Sequence, residues 1–245
     1  MSAMTTLGAV LPPDPPSVRR GVRAVAVMAL VLSALVSAAA ASTTLDFVSF
    51  DGIDYIRWPE EAGRVLTRSD LGTEFGTVQC SIGEDVRGCP YGVDAGAAFL
   101  PAGTRLFTVR GHPSEFRLAA VWRDRIFLYQ AWRNPRAKVG GELYALSGKV
   151  RAIDVQRGQP HPSAARSPAT IGTARDVEGL VEMLVRSPVQ RPQAHAFGEP
   201  RYWLTFWLTD GTTLERAYFV EPRELMGGVV LPAEFTPILE RYLGD

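Results

Sequence analysis

Three histidines, two cysteines, a run of arginines and an aromatic hairpin are the parts of this chain whose residue types could do chemistry. His112, His161 and His195 each stand in Pro- or Ala-containing loop sequence. His112-Pro-Ser114 would supply a base and a hydroxyl for nucleophilic catalysis if the fold brought them together; an exposed turn is the simpler reading. Asp51 and Asp54 in FDGID could ligate calcium, but two acids beside one glycine fall far short of a calcium loop, and a turn explains them as well. With Glu115 they are also the carboxylates that a hydrolase of wall or glycan substrates would use. Cys80 and Cys89 are the only cysteines. No second ligand pair lies near them, so we expect no metal site; a disulfide closing their loop would contribute about 2.7 kcal/mol by chain entropy. No G-x-S-x-G elbow, H-E-x-x-H pair, phosphate loop or dinucleotide fingerprint occurs, and no cofactor is expected.

Two further constellations point to binding rather than catalysis. Between Arg110 and Arg151 nine basic residues face three acids, whereas between Glu199 and Asp245 eight acids face four basic residues. Arg117, Arg123, Arg125, Arg133, Arg136 and Lys138 could form a patch for an anionic wall polymer or lipid headgroup. Solvation, or pairing with the acidic half across a domain interface, is the plainer account. The second constellation is YWLTFWLT-Asp210-Gly211-TTLERAYFV. An Asp-Gly pair between alternating runs predicts a two-residue type I′ turn. That turn places Trp203 opposite Tyr218, Thr205 opposite Arg216 and Trp207 opposite Leu214. The resulting face of Trp203, Trp207, Tyr218 and Arg216 would suit sugars or a partner protein if exposed. Buried, it is where two layers dock, and large exposed aromatic patches are rare enough to favour that alternative.

The elements that must position these groups are mostly strands. From Leu45 to Leu146, runs such as IDYIRW (53–58), TVQC (77–80), RLFTVR (105–110), FRLAAVW (116–122) and RIFLYQAW (125–132) alternate with turn clusters, and Arg123-Asp124 reads as a tight hairpin turn. KVRAIDV (149–155) is a further strand, and 157–173 reads as a loop or linker. Thr173 to Arg186 carries Val177, Leu180, Val181, Leu184 and Val185 at helical spacing, with Thr173 and Asp176 as a capping pair and Pro188 as the stop. A short strand at 229–231 and a terminal helix at 237–243 close the chain. The expected class is α+β: a β-rich small barrel or sandwich at 45–146, then a smaller α+β domain at 147–245 with an antiparallel sheet and two helices.

The first forty residues give the address. Residues 1–23 read as a cytoplasmic leader, with Arg19, Arg20 and Arg23 before the uncharged run Ala24–Ala41, which ends in an A-x-A pattern. Residues 24–41 are either a cleaved signal segment or an uncleaved N-terminal anchor contacting the membrane. Both place the remainder outside the cytoplasm, where a disulfide is favoured. Three of the 26 basic residues and one of the 26 acidic residues, Asp14, lie in the leader. The remainder is thus slightly acidic, and no nucleic-acid partner is expected.

DFVSFDGIDYIRW, LTRSDLGTEFGTVQC and FLPAGTRLFTVRG resemble a β-rich module of uncharacterised exported proteins and lipoproteins of Gram-positive bacteria. KVRAIDV, the following helix and YWLTFWLTDGTTLERAYFV are similar to a second module of the same proteins. The resemblance covers most of the chain after the leader, although the lipid-bearing Cys of the lipoprotein members is missing. It implies an extracytoplasmic location and no known activity. The expectation is therefore a non-enzymatic cell-envelope protein that binds a partner protein, a wall polymer or an anionic lipid headgroup, with a hydrolase as the alternative.

Overall fold

Two turns with both central residues in the left-handed region organise the first half of the chain. Asp51-Gly52 (φ 52° and 70°) and Arg123-Asp124 (φ 49° and 60°) each close a two-residue hairpin of the primed type, whose twist matches that of the flanking strands. They pair Phe50 with Ile53 and Trp122 with Arg125. The computed structural model that shows this describes residues 45–57, 62–85, 87–158, 167–193 and 201–244. The leader, the run 24–41, His161 and His195 lie outside the described residues.

The first sheet comprises β1 (Asp46–Phe50), β2 (Ile53–Arg57), β3 (Leu71–Thr77), β4 (Cys80–Ser81), β5 (Gly96–Ala97), β6 (Arg105–Val109), β7 (Arg117–Trp122) and β8 (Arg125–Arg133). Their order is β3-β6-β7-β8-β2-β1-β5-β4, curled into a half-barrel. After the one-turn helix α1 (Gly140–Leu143) come β9 (Val150–Arg157), β10 (Ala169–Ile171), α2 (Ala174–Arg186), β11 (Arg201–Leu208), β12 (Thr213–Phe219), β13 (Glu224–Leu225), β14 (Val229–Val230) and α3 (Phe235–Leu243). The second sheet runs β10-β9-β11-β12-β13-β14 and is antiparallel throughout. This is the expected α+β class.

Helix α2 buries Val177, Leu180, Val181 and Leu184, as its spacing predicts, and ends at Ser187 before Pro188. The capping box does not form. The Thr173 hydroxyl bonds the Asp176 carboxylate at 3.2 Å and Tyr242 at 3.0 Å rather than the helix backbone. The presumed linker also needs correction. Its end, Ala169–Ile171, is strand β10, paired with Val155–Ile153 of β9.

The residues on either side of the expected 146/147 boundary share one core. Val48, Tyr55, Leu106 and Tyr129 of the first sheet belong to the same buried cluster as Ile153, Val155, Leu204 and Phe206 of the second. Two fully buried arginines stitch the sheets together. The Arg216 guanidinium donates to the Ala131 carbonyl at 2.8 Å and to the Tyr144 hydroxyl at 3.2 Å. Arg117 donates to the Thr212 hydroxyl at 2.6 Å and the Thr213 carbonyl at 2.8 Å. The cysteines form the expected staple, with their Cα atoms 5.5 Å apart. Among the described residues no helix is long and apolar enough to cross a membrane.

Candidate functional site

The site follows from the register of β11 and β12, which differs by one residue from the expected one. The connection is three residues long, Thr209-Asp210-Gly211, with Gly211 left-handed at φ 84°. Leu208 N–H bonds the Thr212 carbonyl at 2.9 Å, and the Asp210 carboxylate accepts from Thr212 N–H at 2.9 Å and from its hydroxyl at 2.6 Å. An Asp-Gly pair serves a three-residue loop ending in a left-handed glycine as readily as a two-residue one, and the Asp210–Thr212 bonds select the longer form.

One residue of slip sends cross-strand neighbours to opposite faces. Trp203 now pairs with Ala217, Thr205 with Glu215 and Trp207 with Thr213. Tyr218 and Arg216, expected beside the tryptophans, instead face the core at 0 % exposure. There Tyr218 hydrogen-bonds Thr236 at 2.7 Å, and Arg216 makes the contacts above. They are structural residues, not part of the tryptophan face.

On the other flank of β11, Trp203 pairs with Gln156, Thr205 with Asp154 and Trp207 with Ala152. The outer face of β9-β11-β12 is thus a grid of three rows: Gln156–Trp203–Ala217, Asp154–Thr205–Glu215 and Ala152–Trp207–Thr213. A central row of acid, hydroxyl and acid lies between two indoles. The indoles are tied to the acids diagonally. Trp207 Nε1–H donates to Asp154 Oδ2 at 2.6 Å and Trp203 Nε1–H to Glu215 Oε2 at 3.3 Å. The other oxygens are held too, Asp154 Oδ1 by the Thr170 hydroxyl at 2.6 Å and Glu215 Oε1 by Ala62 N–H at 3.0 Å. Trp203, Trp207, Asp154, Glu215, Thr205 and Gln156 line a cavity of about 320 Å³ together with Ala62 and Pro168. Trp203 is buried at 7 % exposure and packs on Ala217 and Phe219. Trp207 is half-buried, with the Arg151 guanidinium 5.3 Å from its ring centroid.

The cavity can therefore offer an indole ring, two fixed carboxylates, a hydroxyl and an amide, and among the described residues no lysine or arginine lines it. Each carboxylate has about four lone-pair positions, of which the protein fills two, so acceptor capacity remains for hydroxyl or amine donors. Trp203 and Trp207 were legible from the sequence. Asp154 and Glu215 join the site from two other strands, Glu215 only in the observed register of β12 and Asp154 only through the pairing of β9 with β11, which no local sequence signal marks.

The other expected residues lie elsewhere. Arg123 lies in the β7–β8 turn and Arg125 follows it, their guanidiniums 4.4 Å from the Trp122 ring centroid and 5.1 Å from that of Phe127. Arg133 binds Asp54 at 2.6 Å and Arg136 binds Asp51 at 2.9 Å, so the β1–β2 hairpin neutralises both within the same half of the chain. Arg117 is fully buried. The basic residues of 110–151 are thus dispersed rather than gathered into one patch. His112 and Ser114 face apart. The Ser114 hydroxyl donates to Glu115 at 3.1 Å, whereas His112 Nε2 lies 2.8 Å from Asp210 Oδ2. Burial and the Arg117 charge lower the His112 pKa to about 4 against the Asp210 hydrogen bond. Compared with protein-family models, curated proteins and solved structures, the chain matches none.

Proposed function

We propose that this is an exported, non-enzymatic binding protein whose ligand seats on the outer face of β9-β11-β12, and that the ligand is a neutral or amine-bearing saccharide of the cell envelope. The observation that carries this reading is the Asp154–Thr205–Glu215 row set between Trp203 and Trp207 in one cavity. A pyranose presents C–H faces that stack on an indole, and hydroxyls that donate to carboxylates. Among the described residues the lining carries two carboxylates and no cation, the Arg151 guanidinium near the Trp207 ring standing outside it, and this disfavours a polyanion in the cavity. Export is supported by the arginines before Ala24–Ala41, by the disulfide, and by the resemblance to exported modules. The hydrolase alternative is less well supported. Two of the carboxylates offered for it, Asp54 and Asp51, are ion-paired with Arg133 and Arg136, which favours their ionised form over that of a proton donor.

Titration with soluble β-linked oligosaccharides of glucose, N-acetylglucosamine and glucosamine, followed by indole fluorescence and calorimetry, tests the proposal. At least one is expected to bind saturably. Trp207→Ala should weaken it by about tenfold or more, a loss of about 1.4 kcal/mol, with the thermal midpoint little changed. Trp203→Ala, by contrast, should destabilise the fold by about 3 kcal/mol, as a truncated core tryptophan does. Saturable binding that Trp207→Ala leaves intact, or no binding to any of these sugars, would reject the saccharide reading.

A further inference from the structure

A second cavity, of about 380 Å³, shares no residue with the tryptophan site. Its walls are Arg133 at the end of β8, the turn through Asn134 to Lys138, the segment Val189–Pro192, and Gly227. Backbone bonds hold these walls on both sides of the Pro188–Gln190 segment. Val189 N–H donates to Lys138 at 2.9 Å, Gln190 N–H to Gly228 at 2.8 Å, and Val230 N–H to the Pro188 carbonyl at 3.0 Å. The cavity is therefore fixed by main-chain pairing rather than by side-chain packing.

Among the described residues its lining is charged in one sense only: Arg133, Lys138 and Arg191 contribute cations, and no aspartate or glutamate takes part. Arg133 gives its Nε–H to Asp54 and is neutralised by it. Lys138 and Arg191 have no acidic partner among the described residues. Two described acids near these walls take backbone donors, Glu142 from Lys138 N–H at 2.6 Å and Glu224 from Gln193 N–H at 3.3 Å. Two like charges sharing one mouth repel each other, and an anion placed between them relieves that repulsion.

We propose that this cavity binds a phosphate monoester. Two cations without an ion-pair partner among the described residues match a group carrying about −1.5 to −2 at neutral pH, whereas a carboxylate or a phosphodiester would leave one of them unanswered. Arginine and lysine together supply the charge-assisted donors that phosphoryl oxygens take. Ala137, Val189 and Pro192 give the esterified carbon skeleton an apolar wall.

The test is titration of the intact protein at low ionic strength with glycerol 3-phosphate, followed by ³¹P NMR and calorimetry. Acetate and glycerophosphocholine, a diester, serve as comparison anions, and vesicles of phosphatidylcholine with or without phosphatidic acid form a parallel arm. Glycerol 3-phosphate should bind about tenfold more tightly than either comparison anion. Lys138→Gln and Arg191→Gln should each weaken it by a similar factor, Lys138→Arg should retain it, and added salt should weaken it. Both replaced side chains are exposed, so an unchanged circular-dichroism spectrum is expected in each variant. Binding of phosphatidic-acid vesicles without binding of free glycerol 3-phosphate, lost in the same two variants, would support the same chemistry with a lipid as its source. Equal affinity for acetate, affinity unchanged in both glutamine variants, or no saturable binding in either arm would overturn the proposal.

Discussion

At the scale of single residues, His112 shows how burial redirects a group that the sequence offers as a base. Its side chain is 4 % exposed and lies against Asp210, Arg117 and, through the charge of Lys149, a third element. The Asp210 carboxylate accepts only, so the ring carries its proton on Nε2, and Nδ1 is a buried acceptor without a hydrogen-bond partner among the described residues. Desolvation and the neighbouring guanidinium set the pKa at about 4, below the ordinary value of 6.5. The unfolded chain thus binds this proton more readily than the folded one. Stability should be complete above about pH 6.5 and fall as the pH drops from there to about 4, by up to about 3 kcal/mol. Asp210 follows at lower pH. Burial raises its pKa, but the bonds from Thr212 and His112 outweigh this and hold it at about 2. Urea unfolding measured at intervals between pH 7 and pH 4 should show this slope, and His112→Gln should flatten it. An equally steep slope in the variant would place the titrating group elsewhere.

At the scale of elements, legibility followed how local the signal was. The hairpin turn at Arg123-Asp124, the face of α2 and the strands β6 to β9 could all be read, because each depends on residues within one short window, whereas FDGID reads only as a turn without the hairpin that β1 makes of it. The β3 strand was recognised only at its end, since LGTEFGT carries two glycines and little apolar alternation and lies at the sheet edge. The register of β11 against β12 was misread because it depends on bonds from one side chain, Asp210, to Thr212. Glu215 changes faces with that register, whereas Asp154 joins the site through the separate, long-range pairing of β9 with β11. Close approaches between elements were invisible for a related reason. A Cβ on Gly140 would lie 2.1 Å from the Leu184 carbonyl oxygen, so the start of α1 can meet the end of α2 only without a side chain. Both partners at that contact are backbone, leaving no flexible side chain to yield. Gly140→Ala should destabilise the protein by about 2 kcal/mol, a typical cost of overpacking. Gly148→Ala makes a useful contrast: its Cβ would meet nothing, and only the strain of φ 66° would be felt, at about 1 kcal/mol. Chemical denaturation of the two variants ranks them, and a larger loss at Gly148 would refute the packing argument.

At the scale of the whole molecule, the buried arginines decide how the two sheets respond to stress. Charged residues are almost never fully buried unless paired, so nothing in the sequence marks Arg117 or Arg216 as interior. Yet every partner of the Arg216 guanidinium except the Glu215 carbonyl comes from the first sheet or the segment after it, and Arg117 reaches from the first sheet to Thr212 and Thr213. Gln130 adds a third bridge to the Thr213 carbonyl at 2.6 Å. Separating the halves at 146/147 would expose the shared apolar core and remove most of the hydrogen-bond partners of both guanidiniums. A buried charge stripped of its partners costs about 3–5 kcal/mol, a large share of a stability of about 5–15 kcal/mol. The intact chain after the leader should therefore unfold in one calorimetric transition whose van't Hoff and calorimetric enthalpies agree. Arg117→Met should lower that transition as a whole rather than split it. Residues 45–146 and 147–245 expressed separately should each lack a cooperative transition and a native near-ultraviolet circular-dichroism signal. Two resolved transitions in the intact protein, or either half folding cooperatively alone, would mean that the arginine bridges are incidental to two independent domains.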